Sequence, residues 1–222
     1  MKKYFDILRK CSLFKEISDD DLLPLLACLN AKVEKFGKKY TIIPEGKPVK
    51  YIGIVLSGAA QTVRNDYNGN RSIVSGISPA EIFCEAFACA EVNSAPVSVI
   101  ASETCEVMLI DCSRITHPCP HACSFHQQLI YNMMRNLAEK NVAFHKKIEI
   151  TSQRTTRDKL MTYLTLEAKK QGTSSFQIPF NRQELADYLE VDRSGLSVEI
   201  GKLRDEGILE SDRSRFTLLS GQ

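Results

Sequence analysis

The sequence predicts an α+β chain in three parts: an antiparallel β-roll, one long helix, and a helix-turn-helix followed by a wing. Three observations predict it. Short apolar runs separated by turn residues fill the stretch from Lys35 to about Ser113, the pattern of many short strands. Helical apolar spacing then runs through residues 124–151. Two short amphipathic segments flank a tight turn between Asn181 and Gly207, with two short extended runs after them. The predicted parts are 1–123, 124–152 and 153–222.

Composition bounds the function. The chain has 222 residues, 43% hydrophobic and 25% charged, ordinary values for a globular protein of about two domains. A net charge of +2 gives no signature of bulk nucleic-acid coating, so a nucleic-acid reader of this kind depends on a local patch. No apolar run is long enough to span a bilayer, and Met1-Lys2-Lys3-Tyr4 opens into an amphipathic segment rather than a secretion signal. The expectation is a cytoplasmic protein with no membrane partner. Eight scattered cysteines are then expected to be reduced thiols.

Taken in order, residues 4–30 have helical character. Ser18-Asp19-Asp20-Asp21 is a helix start, and Leu22, Leu25, Leu26 and Leu29 share one face. Strands are predicted at Tyr40 to Ile43, Tyr51 to Leu56, Ser72 to Val74, Val97 to Ala101 and Val107 to Ile110. Pro44-Glu45-Gly46, Ser57-Gly58, Asn68-Gly69 and Ser78-Pro79 separate them, and Asn68-Gly69 is a two-residue hairpin signal. In the long helix, Ile130, Met134, Leu137, Asn141, Phe144, Ile148 and Thr151 follow a four-three repeat, the seam of a two-stranded coiled coil. Arg135, Glu139, Lys140 and Lys146 charge the other face, so a homodimer is expected. Asn141 inside the seam would fix its register.

Arg154 to Arg157 is a polar hinge, followed by a helix from about Asp158 to Lys170 and a short strand at Phe176 to Pro179. Leu185, Ala186 and Leu189 stripe the first helix of the pair; Leu196, Ile200 and Leu203 stripe the second. Asp192 is placed to cap the second helix and Gly207 to stop it. Ile208-Leu209-Glu210 and Arg215 to Leu218 bracket a turn at Ser211 to Ser214, which makes a wing. The second helix of such a motif commonly enters the DNA major groove, and Arg213 and Arg215 on the wing are placed to reach phosphates.

The order of these parts resembles the Crp/Fnr family of bacterial transcription regulators, over about Leu13-Phe14 to Leu218. Pro44-Glu45-Gly46 and Ser57-Gly58 look like the glycine turns of the cyclic-nucleotide-binding fold, a double-stranded β-helix. Ile82-Phe83-Cys84-Glu85 looks like its phosphate-binding stretch. Arg182-Gln183-Glu184-Leu185-Ala186 and Asp192-Arg193-Ser194 look like the family's DNA-binding signature. The resemblance implies a homodimer reading a pseudo-palindromic promoter site, an effector that alters the dimer helices, and RNA polymerase as a partner. Arg193 matches a base-reading arginine, and a guanidinium can bond guanine O6 and N7 together. Ser194 and Ser197 share its exposed face, and Arg182 and Gln183 look like phosphate contacts. This chain lacks the glutamate that many relatives place near Ser194 and the second arginine near Val198. Altered sequence preference is the expected consequence, with Val198 offering an apolar contact to a thymine methyl.

The sensor departs further. Glu85 fits the ribose-binding glutamate, but the family's arginine-serine pair falls near Ala95-Pro96 and its glycines near Ala80 and Cys84. A phosphate there has no cation, so cyclic AMP is not the expected effector. Phe83, Cys84, Glu85, Phe87, Pro96 and Val97 are the candidate pocket for another small molecule. The alternative for Glu85 is an ordinary carboxylate at a helix N-terminus.

The run from His117 to His126 holds Cys119, Cys123 and three histidines. Cys119, Cys123 and His126 are candidates for metal or thiol-redox sensing at the start of the dimer helix. The alternative is a proline-capped helix start with incidental polar residues. No closed zinc pattern is present. The tight N-terminal cysteine cluster of iron–sulfur relatives is missing too, so no such cluster is expected and the cofactor stays open. Cys84, Cys89, Cys105 and Cys112 fall in apolar runs and are expected in the core. No nucleophile–base pair or phosphate loop is visible, so no enzyme is expected.

Overall fold

The computed structural model describes residues 1–65, 71–117 and 124–219. The Asn68-Gly69 turn and the Cys119 and Cys123 thiols lie outside the described residues. Contacts divide the chain into two compact units, Met1–Glu139 and Lys140–Gln222.

The first unit is an antiparallel roll with helices at its ends. The N-terminal helical stretch is broken into short pieces: α1 (Phe5–Leu8), a 3-10 turn at Ser12–Phe14, and α2 (Asp19–Cys28). Ser18 caps α2 by accepting the Asp21 N–H, and three aspartates fill its first turn, where the helix dipole favours them.

The roll strands are β1 (Lys32–Phe36), β2 (Thr41–Ile43), β3 (Tyr51–Ser57), β4 (Ala60–Asn65), β5 (Arg71–Ile77), β6 (Ile82–Phe83), β7 (Ser98–Ala101) and β8 (Cys105–Asp111). Helix α3 (Glu85–Cys89) follows β6, and α4 (Ser113–Thr116) follows β8. The strands form two four-stranded sheets, ordered β1-β8-β3-β6 and β2-β7-β4-β5, with every pairing antiparallel. Apart from the consecutive pair β4 and β5, neighbours in a sheet are not consecutive in sequence, as a double-stranded roll requires. β1, β4 and β6 had no counterpart among the predicted strands. Ile52, Ile54, Val107, Met108 and Ile110 fill the core with the leucines of α2.

Two glycines are required by close approach. A side chain at Gly58, where φ is +72°, would meet the Thr104 carbonyl oxygen at 2.2 Å. A Cβ on Gly53 would lie 1.9 Å from the ring of Phe83, the tip of which meets that strand.

Helix α5 (Ser124–Thr151) runs from the first unit into the second. The second unit continues with α6 (Thr156–Gln171), β9 (Ser175–Gln177), α7 (Arg182–Leu189), α8 (Arg193–Asp205), β10 (Leu209–Asp212) and β11 (Arg215–Leu218). Strands β10, β11 and β9 make a small antiparallel sheet in that order. Its core gathers Leu160, Leu164, Leu185, Leu189, Leu196, Leu203 and Phe216. The fold is therefore α+β: a roll, a long helix and a winged helix-turn-helix.

Candidate functional site

The helix-turn-helix is built from local signals that agree. Asn181 caps α7: its side chain accepts the N–H groups of Gln183 and Glu184, and Glu184 reaches back to the Asn181 N–H at 2.7 Å. This is a complete capping box. Glu190 ends α7 in the left-handed region, φ 54°. Asp192 then caps α8, accepting the Gly195 N–H at 2.9 Å. The Ser194 hydroxyl and the N–H groups of Gly195 and Ser194 hold the Asp192 carboxyl below its ordinary value. Leu196, Ile200 and Leu203 are buried, so the opposite side of α8 faces outward.

That outward side carries Arg193, Ser194, Ser197 and Val198, all exposed. Among the described residues Arg193 makes no ion pair. The Ser194 hydroxyl donates to Asp192, and the Ser197 hydroxyl donates to the Arg193 carbonyl at 3.0 Å. Both hydroxyl oxygens keep lone pairs for an incoming donor. The Glu199 carboxylate is turned away from this side, pairing with Arg157 at 3.7 Å and Lys202 at 3.5 Å. Its negative charge is thus balanced inside the unit.

The flanking candidates divide. Gln183 is exposed and bonds Asp187 at 2.8 Å, and Arg213 and Arg215 are exposed at the wing, with Arg213 in the left-handed region. Arg182 is half-buried: its guanidinium lies 5.8 Å from the Phe216 ring centroid, and one terminal nitrogen is buried without a partner among the described residues. Burial lowers its pKa. Arg182 therefore turns its guanidinium toward Phe216 of the wing, and only part of that head is available.

Residues that sequence reading passed over hold this motif to the end of α5. The Lys147 ammonium sits 4.2 Å from the Tyr188 ring centroid and 3.7 Å from the Glu190 carboxylate. Tyr188 stacks on Phe180 at 4.9 Å, and Tyr163 completes the aromatic group. A lysine on a charged helix face gives no sequence signal for such a contact.

In the roll, the candidate pocket residues are mostly folded inward. Phe83, Cys84, Glu85 and Val97 are buried, Phe87 is half-buried and Pro96 is exposed. Phe83 belongs to the roll core over Gly53. Glu85 opens α3, in its first turn, and is only 3% exposed. Ala80 and Cys84 both take left-handed backbone, φ 70° and 63°. The chain thus keeps a glycine-type conformation at two positions without glycine, at a cost of roughly 1 kcal/mol each. Ala95 is buried, and its N–H and C=O are engaged with the Lys47 carbonyl and the Gly46 N–H, both at 2.9 Å. Neither a cation nor a free amide is offered by Ala95.

The expected seam of α5 also divides. Ile130 and Leu137 pack against the roll core. Met134, Phe144 and Ile148 are 61%, 65% and 60% exposed, with Asn141 exposed between them. His126 is buried, its Nε2 lying 3.3 Å from the Ile115 carbonyl and its Nδ1 without a partner among the described residues. Of the cysteines expected in the core, Cys84, Cys105 and Cys112 are buried, whereas Cys89 is half-buried.

Residues 33–116 match the cyclic nucleotide-binding domain, and residues 158–221 match the Crp-like helix-turn-helix domain. The two lie in that order on either side of the long helix. The chain belongs to the Crp/Fnr family. It has the architecture of a Crp/Fnr-type transcription regulator. Solved structures share the fold at low identity. CprK bound to OCPA aligns at 10% identity, TM-score 0.66, over 89% of this chain and 88% of that one. The c-di-GMP-responsive regulator CLP of Xanthomonas campestris aligns at 15%, TM-score 0.59, over 91% and 100%. DNR of Pseudomonas aeruginosa aligns at 19%, TM-score 0.50, over 99% and 95%. No curated protein matches the sequence. Among the described residues no helix is long and apolar enough to cross a membrane.

Proposed function

We propose that this protein is a homodimeric, cytoplasmic transcription regulator that binds a pseudo-palindromic promoter site and responds to a small molecule other than cyclic AMP. The observation that carries the reading is the outward side of α8: Arg193, Ser194, Ser197 and Val198 exposed on a helix whose other side is buried and whose N-terminus is capped. Arg193 reads a guanine, and Val198 meets a thymine methyl. Gln183, Arg213 and Arg215 hold phosphates, with Arg182 contributing what its packing leaves free. Phe144 and Ile148 pair with their copies across a two-fold axis. The half-sites then lie roughly 34 Å apart, one helical turn of DNA. RNA polymerase is the downstream partner, and no enzymatic step is assigned.

The effector reading rests on Glu85, Phe87 and Val97 beside an Ala95-Pro96 backbone with no cation. A buried phosphate there would lack compensation. The direct test selects DNA from a random library with the purified protein, then measures affinity for the winning site. Arg193→Ala should weaken that site by about 1–3 kcal/mol and relax one base position. Failure to enrich any sequence, or unchanged affinity in the variant, refutes base reading by α8. Titration calorimetry with cyclic AMP should show no binding; saturable heat would refute the effector reading.

One observation favours a second reading, metal or thiol sensing through Cys119, Cys123 and His126. With Nε2–H given to the Ile115 carbonyl, the buried Nδ1 of His126 presents a lone pair with no partner among the described residues. A ligating histidine commonly has its other nitrogen fixed in this way. Bound metal and DNA affinity should then change in Cys119→Ser/Cys123→Ser; identical behaviour in both removes this reading.

A further inference from the structure

Cys89 and Cys112 lie within the first unit, apart from the Cys119–Cys123 run. Cys89 is the last residue of α3, and Cys112 sits between β8 and α4 as the residue before that helix. Their sulfurs are 3.3 Å apart although the residues are 23 positions apart in the chain. A disulfide has an S–S distance of about 2.05 Å, so a small side-chain adjustment separates contact from a bond. Burial is unequal. Cys112 is 4% exposed, whereas Cys89 is half-buried, the more accessible residue of the two.

The chemistry is unequal in the same sense. The hydrogen bond from Cys112 draws the Cys89 thiol below its ordinary value, against burial and the Glu85 carboxylate, which push it up. The same bond, with burial and the charges of Asp111 and Glu91, pushes Cys112 well up. The accessible sulfur is thus the better thiolate and the enclosed one its partner, an arrangement of attacking and resolving thiols.

We propose that Cys89 and Cys112 are a thiol–disulfide exchange site that closes into a reversible intramolecular bond with a low-molecular-weight disulfide such as oxidised glutathione. The Cys89 thiolate attacks one glutathione sulfur; the glutathione S–S bond breaks, and the departing glutathione thiolate takes up a proton equivalent to the one Cys89 lost. Cys112 then gives its proton to water, and its sulfur attacks the Cys89 sulfur of the mixed disulfide. The second glutathione leaves and is protonated. Two protein thiols have become one disulfide, and one glutathione disulfide has become two thiols. The new bond ties the end of α3, which carries Glu85 and Phe87, to the segment that leads toward α5.

The test uses the full-length, reduced wild-type protein, held without oxygen and mixed with oxidised glutathione. Free thiols are alkylated, the protein is digested, and the peptides are weighed by mass spectrometry. The expected result is a Cys89–Cys112 cross-linked peptide as the predominant disulfide, lost again on adding dithiothreitol. Cys112→Ser should stop at a glutathione adduct on Cys89, and Cys89→Ser should give no cross-link at Cys112. The proposal is overturned if wild-type Cys89 and Cys112 both remain alkylatable. It is equally overturned if Cys89 stops at the adduct, or if either thiol joins a different cysteine. The wild-type digest decides these outcomes even where a serine variant fails to fold.

Discussion

Helix α5 is one continuous element with two unlike halves. In its first half Leu129 and Met133 are buried, and Ile130 and Leu137 pack against the roll. Asn132 is 5% exposed and donates to the Leu13 and Lys15 carbonyls at 3.0 and 2.7 Å. Asn136 donates to the Ser12 hydroxyl at 2.9 Å. In its second half Val142, Phe144 and Ile148 stand more than half exposed, and only Ile150 at the end returns to a core. The same apolar spacing therefore serves two purposes. The first half fastens the helix to its own unit, with Tyr131 and Met134 left outward; the second leaves an apolar face for another surface, which the proposed dimer supplies.

The largest expected effect comes from charging the second half. In Phe144→Glu/Ile148→Glu four apolar side chains would be lost from a two-fold interface, at least about 4 kcal/mol, roughly a thousandfold in the dimer dissociation constant. Sedimentation equilibrium should show monomer where the wild type is dimeric, with the thermal unfolding of each unit unchanged. A variant that stays dimeric would mean that the exposed face of α5 is not the interface.

The first half predicts the opposite phenotype. Asn132→Ala strands the Leu13 and Lys15 carbonyls, both close to a well-packed core, and should cost about 2 kcal/mol of stability in urea unfolding of the first unit. Dimerisation of the folded fraction should not change. If Asn132→Ala instead weakens the dimer, the division between the halves is wrong.

A finer test lies at Asn141, exposed between Phe144 and Met134. A polar residue in a seam sets register at the expense of affinity. Asn141→Leu should tighten dimerisation by about tenfold, on the order of 1.5 kcal/mol, and admit shifted pairings detectable by cysteine cross-linking at neighbouring positions. A weaker dimer would place Asn141 outside the seam.

The contrast between halves also shows where sequence is legible. The spacing of residues 130–151 reveals an apolar stripe but not what covers it; Ile130 and Phe144 look alike in the pattern and differ in the fold. The helix-turn-helix was readable almost residue by residue because its signals are local. Asn181, Glu184, Asp192 and Gly207 act on backbone groups within a few positions of themselves. The pocket was not. Phe83 lies in a two-residue strand whose partner, β3, is about thirty positions earlier, and its ring covers Gly53 only after that pairing forms. β1 carries a buried Phe36 among four more accessible residues, so its alternation is weak. The Sγ contact of Cys89 and Cys112 likewise depends on where α3 meets the end of β8. Burial was predictable for Cys112, but nothing in the spacing pairs it with Cys89.

Lys147 gives the smallest effect and the clearest sign. It lies in the second half, half-buried against Tyr188 and Glu190. Burial lowers its pKa below the ordinary lysine value of 10.5, and Glu190, which raises it, does not offset that. A lysine whose folded pKa lies below its unfolded value destabilises the fold while it is charged. That penalty is full below the folded pKa and disappears as pH rises to the unfolded one. Lys147→Met keeps the packing on Tyr188 without the charge, so at neutral pH it should change the stability of the second unit by less than about 1 kcal/mol, toward stabilisation. As the pH is raised toward 10.5 the wild type should gain on the variant. Paired thermal melts across that range check it. A wild type that loses ground to Lys147→Met as the pH rises would show that the cation is held by Glu190 and the ring more strongly than its burial opposes it.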